Sequence, residues 1–401
     1  MRRQVKDILK YDLCLGCGLC EAVSAGRTKM VLCTDGFYKP DVFALNDKED
    51  KEIFSLCPGI NIDNTDCKSN SIWGKTLLAI NAWSSDDKIR HDSSSGGITS
   101  ALAIYLLESG IVNGILQVRV QDGSYLYNRL YISRSRADVL KCNSSRYAPT
   151  LVFSDIINML DSNPDEVYAF IGKPCDIAGL KNLITKYPQY KKRIKYYLSI
   201  FCAGMPSYNA TKRALATFKK KEEPVSLRYR GDGWPGYFKA TYKDGSSEQM
   251  TYNDSWGKIL GKDLCFRCKI CPDGIGMLAD ISSGDSWNTK NGYPDLTEAD
   301  GKNFCFVRTT SGKELIQNAK DAGYIQIEEL DVSEVRKIQA YQYVRRRYVG
   351  WRILVVQFLT NGILRFRDLG FYHNALKLNI IKATKEIEGT YRRFRKICQR
   401  S

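Results

Sequence analysis

Histidine is almost absent: the 401 residues contain two, His91 and His373. Neither stands among other residues at metal-ligand spacing, which argues against a histidine zinc site. No run of eighteen or more uncharged apolar residues occurs, so no helix is predicted to span a membrane. The opening residues, MRRQVKDILKYDLC, lack an apolar export segment and a small-residue cleavage site, which makes the cytoplasm the expected compartment. There is no GxGxxG, so a standard Rossmann dinucleotide site has no support. No carboxylate pair or nucleophile–base pair can be picked out by spacing.

Acidic charge is also short. Asp and Glu number 44 against 60 Lys and Arg, a formal net charge of +16. The excess is concentrated at the end: from Arg345 onward there are fourteen Lys or Arg and three Asp or Glu. Such a patch can meet nucleic acid, anionic lipid or an anionic substrate. Base-reading and stacking motifs are missing, so nucleic acid is the least favoured of the three.

What the chain does have is cysteine, fourteen of them. A 401-residue chain without an export signal is a poor disulfide scaffold. The spacing points to metal instead. Cys14, Cys17 and Cys20, in CLGCGLC, place three thiolates around one small volume. This C-x2-C-x2-C run supplies three ligands of a cubane, and the fourth usually lies farther off. Cys57-Pro58 fits that role, and Gly16 and Gly18 are expected to let the backbone wrap around inorganic sulfide. A two-cluster ferredoxin would carry another cysteine at position 24, where this chain has Ser24. Cys33 and Cys67 read as buried small hydrophobes.

A second triple, Cys265, Cys268 and Cys271, lies in LCFRCKICPDG. Its fourth ligand must come from upstream. Cys202 in SIFCAGMPS is preferred slightly over Cys175 in FIGKPCDIAGL, with Cys142 a third choice. Cys202 and Cys175 each follow a short apolar run, where parallel strands end and ligands collect. Two clusters in one chain suggest an electron path.

Residues 76 to about 220 read as an α/β unit. ITSALAIYLLESG is a helical pattern, and ILQVRV, VYAFIG and IKYYLSIFC are strands with a helix, DIAGLKNLI, between the last two. Ser93, Ser94, Ser95, Gly96 and Gly97 precede the first helix. Serines there either cap the free backbone N–H groups or leave them to a phosphate. The phosphate reading points to the diphosphate of FAD, because flavin converts paired electrons into the single electrons of clusters. His91 beside this run is a candidate flavin contact. Residues 228 to 256 suggest a small antiparallel insertion. Asp280 and Asp285 read as turn or cofactor-orienting groups, and Asp285 and Lys173 are the polar candidates near the cofactor.

CLGCGLC, SSSGGITSALAIYLLESG, KCNSSRYAP, FIGKPCDIAGL, FCAGMPS and LCFRCKICPDGIGMLADISSGDSW occur in that order. Together they resemble the beta subunit family of coenzyme F420 hydrogenases and dehydrogenases, over about residues 10 to 310. The resemblance implies FAD and [4Fe–4S] clusters. It matches Ser93 to Gly97 to the flavin-binding helix start, and Lys141 and Tyr147 to a polar segment near flavin. It matches Cys265, Cys268 and Cys271 to the core cluster, and Cys14, Cys17, Cys20 and Cys57 to the additional cluster of extended members. The type it suggests is bacterial and associated with polysaccharide biosynthesis.

The expected fold is α+β or α/β in three parts: a ferredoxin-like cluster module over 1–75, a central mixed-sheet flavin and iron–sulfur domain over 76–325, and a basic helical extension over 326–401. The expected activity is a flavin-dependent oxidoreductase. It would pass electrons between a ferredoxin-like donor or F420 and an organic substrate through two [4Fe–4S] clusters and FAD. The alternative is an electron-transfer subunit of a larger complex with no substrate of its own; a homo-oligomer is a further expectation. The extension carries Arg345, Arg346 and Arg347 beside an apolar helix, breaking near Asn361-Gly362 and Gly370. It either packs on the core, docks a protein partner, or lies on the anionic inner face of a membrane.

Overall fold

Apolar runs of five to seven residues, separated by polar turns, assemble into the sheet that organises the chain. The computed structural model describes residues 3–290 and 293–399; the outermost residues of both predicted terminal segments, Met1, Arg2, Arg400 and Ser401, lie outside this range. Nine strands run in the order Ile325–Glu329, Leu78–Ser84, Asn303–Val307, Ile281–Asp285, Ile194–Ile200, Tyr168–Gly172, Gly114–Val120, Asn128–Ser133 and Thr150–Leu151. The four from Ile281–Asp285 to Gly114–Val120 are mutually parallel. Three of them are the strands the sequence predicts. Around them the pairing is mostly antiparallel, so the sheet is mixed.

Side-chain alternation splits the hydrophobic core between the two faces. Ile115 and Ala169 point to one side, and Leu116 and Phe170 to the other. The first side holds the helix Ile98–Glu108, buried at Ile98 and from Ala101 to Leu106 because the helix Thr310–Asp321 covers it. The second side holds the helix Pro174–Lys186. Its start is fixed by Pro174 in the first turn and by the Lys173 N–H donating to the Asp176 carboxylate at 2.9 Å. The insertion is present as the antiparallel strands Ser226–Arg228, Tyr237–Thr241 and Ser247–Thr251.

Residues before 75 contribute the short helices Val5–Lys10 and Leu19–Val23, the helix Asp47–Leu56, and a hairpin of Met30–Leu32 with Tyr38–Pro40. Their last strand, Asn61–Asp63, pairs with none of these. It pairs in parallel with Arg365–Arg367, three hundred residues downstream. The C-terminal extension is therefore woven into the N-terminal segment. Val349, Ile353, Val356, Leu369, Phe371 and Phe394 share one core with Val5, Ile8, Leu13 and Ile60. Tyr11 stacks on Phe394 at 5.6 Å. The helix Ala340–Leu359 ends just before Asn361-Gly362 and the helix Phe371–Ala375 starts after Gly370, as expected, but a strand fills the gap and a further break, not expected, precedes Ile380–Cys398. Among the described residues no helix is long and apolar enough to cross a membrane.

Candidate functional site

The first cysteine group is delivered by two local devices. Asn46 accepts from the Lys48 and Glu49 N–H groups at 3.0 Å and starts the helix Asp47–Leu56, whose end presents Cys57-Pro58. Cys14, Cys17 and Cys20 lie on the loop and short helix that follow Val5–Lys10. Gly16 and Gly18 have φ of +63° and +82°. A side chain there would collide with protein: a Cβ on Gly16 would stand 2.8 Å from the Tyr38 carbonyl oxygen, and one on Gly18 2.3 Å from Ser154 Oγ. These glycines allow close backbone packing at both positions.

Cys14, Cys17, Cys20 and Cys57 come together. Burial pushes every one of these thiols up, and the sulfur of Cys57 pushes the other three further; Cys17 reaches about 12. The Gly16 N–H donates to the Cys14 sulfur at 3.3 Å, and the Ile60 N–H donates to the Cys57 carbonyl oxygen at 3.1 Å.

The second group sits at the carboxyl edge of the parallel strands. Lys173-Pro174-Cys175 follows the strand Tyr168–Gly172, and Phe201-Cys202 follows Ile194–Ile200. Cys202 is raised to about 12 by burial and by Cys268 and Cys271, partly offset by Arg345 and Lys173. Cys265 and burial raise Cys268; Cys175 is raised by burial, with Cys202 and Cys271 among its neighbours. Five thiols thus lie within electrostatic reach of one another, both upstream candidates among them. Cys142 is elsewhere, on a cavity wall. Cys33 and Cys67, expected to be buried, are only partly so. Among the described residues no three His, Cys, Asp or Glu side chains converge as ligands of a metal ion.

The two groups interlock. Cys265 Sγ lies 3.5 Å from the Cys14 carbonyl oxygen. Arg267, between Cys265 and Cys268, donates to the Gly59 and Pro58 carbonyls of the first group. It is fully buried and makes no ion pair among the described residues, and its Nη1 is left without a partner. Ser154 Oγ, against Gly18, is likewise buried and unpartnered. Lys173 pairs with Asp176 at 2.8 Å, and this buried pair faces sulfurs of both groups: Cys17, Cys175 and Cys202.

The serine segment follows the strand Leu78–Ser84 and lies at the same sheet edge. Its hydroxyls are engaged within the protein. Ser93 donates to the Ile89 carbonyl and Asn143, Ser94 accepts from the Ser145 N–H, and Ser95 donates to the Lys302 carbonyl. Gly97, at φ +75°, caps the helix Ile98–Glu108, and Gly96 is packed against Asn303. These bonds tie the serine segment to the Lys141–Tyr147 segment. Beside them opens a cavity of about 320 Å³, lined by Arg119, Lys141, Arg146, Arg228 and Lys239 against the single acid Asp232.

Asp285 ends its strand at this edge and is not placed as a metal ligand. It holds Arg230 through two bonds of 2.9 and 3.1 Å and accepts from Trp234 Nε1 at 3.3 Å. Arg230 stands over the rings of Tyr252 (4.7 Å) and Trp287 (5.4 Å), and its Nη1 lies 3.4 Å from the Tyr147 hydroxyl. Asp280 braces the sheet, accepting from the Tyr197 N–H (2.8 Å) and Thr309 Oγ1 (2.6 Å). Arg230, Arg267 and Arg345 escape a sequence reading, since arginine is usually a solvated charge. The RYRGDGWPG turn is the only hint of the first of them.

Two family models, both describing the beta subunit of coenzyme F420 hydrogenase/dehydrogenase, match the chain. The model of the family's N-terminal part matches residues 79–157, and the model of its C-terminal part matches residues 165–333. The F420-dependent formate dehydrogenase 1 subunit beta of Methanococcus maripaludis is 27% identical over 242 residues, 60% of this chain and 59% of that one. The chain therefore spans about three fifths of that relative's length. The coenzyme F420 hydrogenase subunit beta of Methanococcus voltae is 26% identical over 266 residues, 65% of this chain and 86% of that one. A chain of the F420-reducing [NiFe] hydrogenase complex from Methanosarcina barkeri shares the fold. Its TM-score is 0.55 at 20% identity, over 77% of this chain and 99% of that one. These relatives correct one expectation: they are archaeal redox subunits, not a bacterial type tied to polysaccharide biosynthesis.

Proposed function

We propose that this chain, matched over residues 79–157 and 165–333 by the two models of the coenzyme F420 hydrogenase/dehydrogenase beta subunit, is the electron-transferring subunit of a larger redox assembly, exchanging electrons with coenzyme F420. The observation that carries this reading is the interlock of the two cysteine groups through Cys265, Cys14 and Arg267. Side chains that touch across two redox sites give an electron a short path between them.

In this reading Cys14, Cys17, Cys20 and Cys57 hold one [4Fe–4S] cluster, and Cys265, Cys268 and Cys271 hold the other with Cys202; Cys175 is the alternative fourth ligand. The residues fit such groups. Each set offers at least four thiols, the Gly16 N–H points at the first set, and the buried Arg267 faces Cys57 without a carboxylate of its own. FAD takes the region of Ser93, Ser94, Ser95, Gly96, Gly97, Lys141 and Tyr147. There the positive lining of the cavity suits phosphate, and the serines position the Asn143–Ser145 wall. When bound, clusters supply single-electron chemistry and flavin supplies two-electron chemistry. Residues 1–75 then act as the ferredoxin-like module, 76–325 as the flavin and iron–sulfur domain, and 326–401 as the extension that holds both.

A protein of this kind should co-purify with a catalytic partner when isolated anaerobically from its source. Once chemically reduced, it should bleach the F420 absorbance and not oxidise NADH in the reverse assay. Rapid exchange with a reduced ferredoxin, and none with F420, would replace F420 by ferredoxin as the redox partner. A lone chain turning over an organic substrate would overturn the subunit reading.

A further inference from the structure

Two consecutive arginines of the helix Ala340–Leu359 are buried, Arg345 at 6% and Arg346 at 2% exposure. Neither makes an ion pair among the described residues. A buried guanidinium without a counter-charge is costly, so each needs an explanation. Arg346 solves the problem with carbonyls alone. It donates to Ile72 (2.9 Å), Pro272 (2.6 Å) and Leu369 (2.8 Å), and burial pulls it down to about 10.

Arg345 has different neighbours. One arm donates to the Cys202 carbonyl at 2.9 Å and the other to the Cys268 carbonyl at 2.6 Å. These two residues come from separate segments, the end of a sheet strand and the CxxCxxC loop. Gln342, one turn earlier, adds a second bond to the Cys202 carbonyl at 3.0 Å. Its fork is therefore filled by the backbone of two cysteines of one group. Position 345 also lies beyond the stretch that matches the family models, which ends at residue 333.

We propose that Arg345 is a positioning residue of the second cysteine group: its fork clamps the Cys202 and Cys268 segments together, and its buried charge holds the centre they bind at a higher reduction potential. The proposal rests on the reading of that group as a [4Fe–4S] site. A fixed positive charge beside a redox centre favours the form that carries one more electron. Removing it shifts the balance the other way.

The test is an anaerobic redox titration of the full chain, followed by electron paramagnetic resonance, with iron and sulfide counted in each sample. Arg345→Gln should lower the midpoint of the second centre alone. The expected loss is about tenfold or more in the reduced-to-oxidised ratio at a fixed potential, which is about 59 mV per tenfold for one electron. Arg395→Met, which removes an exposed cation on the last helix, should shift neither centre. Should Arg345→Gln fail to retain iron, Arg345→Lys decides. It keeps the charge but cannot fork, so the spectrum of the second centre should change while its midpoint stays near that of the unmodified chain, and Arg346→Lys should leave both in place. An unshifted midpoint in Arg345→Gln, or an unchanged spectrum in Arg345→Lys, at full iron content would overturn the role of Arg345 and leave the two-cluster reading standing. Unmodified chain with iron for only one centre would remove the reading itself.

Discussion

Deleting residues 340–401 is expected to abolish the folded chain. The deletion removes eight side chains of the largest core: Val349, Ile353, Val356, Ile363, Leu364, Leu369, Phe371 and Phe394. At about 1.5–3 kcal/mol for each buried side chain, the loss is on the order of 12–24 kcal/mol. Domains are typically stable by only about 5–15 kcal/mol. The deletion also leaves Asn61–Asp63 without its strand partner and frees the Cys202 and Cys268 carbonyls from Arg345. The truncated chain should show no cooperative thermal transition and no retained iron. A soluble truncated chain with a sharp transition and full iron would mean that the extension is the detachable docking element its charge suggests.

Asp285→Asn is expected to have the next largest effect. Arg230 and Asp285 are 3% and 20% exposed at their side chains, and the pair lies under Trp234, Trp287 and Tyr252. Burial lowers the Arg230 pKa, and Asp285, with Tyr147 and Tyr252 beside it, more than reverses this. Amide in place of carboxylate leaves the guanidinium charge buried and uncompensated. Breaking one side of such a pair costs about 3–5 kcal/mol. Replacing both sides with apolar groups is far milder, so Arg230→Met with Asp285→Leu should recover much of the loss. Urea denaturation of the three proteins checks this. A cost under about 1 kcal/mol for Asp285→Asn would show that solvent reaches the pair.

The parts of the molecule legible in the sequence are those whose cause is local. Cys14, Cys17, Cys20 and Cys57 lie near one another in the folded chain, as do Cys265 and Cys268, in keeping with their spacing. The strands Gly114–Val120, Tyr168–Gly172 and Ile194–Ile200 are short apolar runs followed by turns, and the rule that sites lie beyond such strands places Cys175 and Cys202 correctly at the sheet edge. What depends on distant pairing is hidden. Nothing in Arg365–Arg367 announces that it will pair with Asn61–Asp63, because strand register is settled by contacts far apart in the chain. The charge count misleads for a related reason. Fourteen cations after position 344 read as a surface, yet Arg345 and Arg346 point inward and bind carbonyls. The glycines of CLGCGLC are recognisable as necessary, but what they approach, Tyr38 and Ser154, lies on other segments.

The central claim is that one chain holds two neighbouring four-thiol sites, and counting metal tests it most directly. Iron and acid-labile sulfide should be measured in anaerobically reconstituted chain, beside Cys57→Ser and Cys268→Ser. The account predicts about eight irons and eight sulfides per unmodified chain, falling to about four in each variant, with a different paramagnetic signal lost in each. A chain that saturates at about four irons, and loses them all in one variant and none in the other, would contradict it.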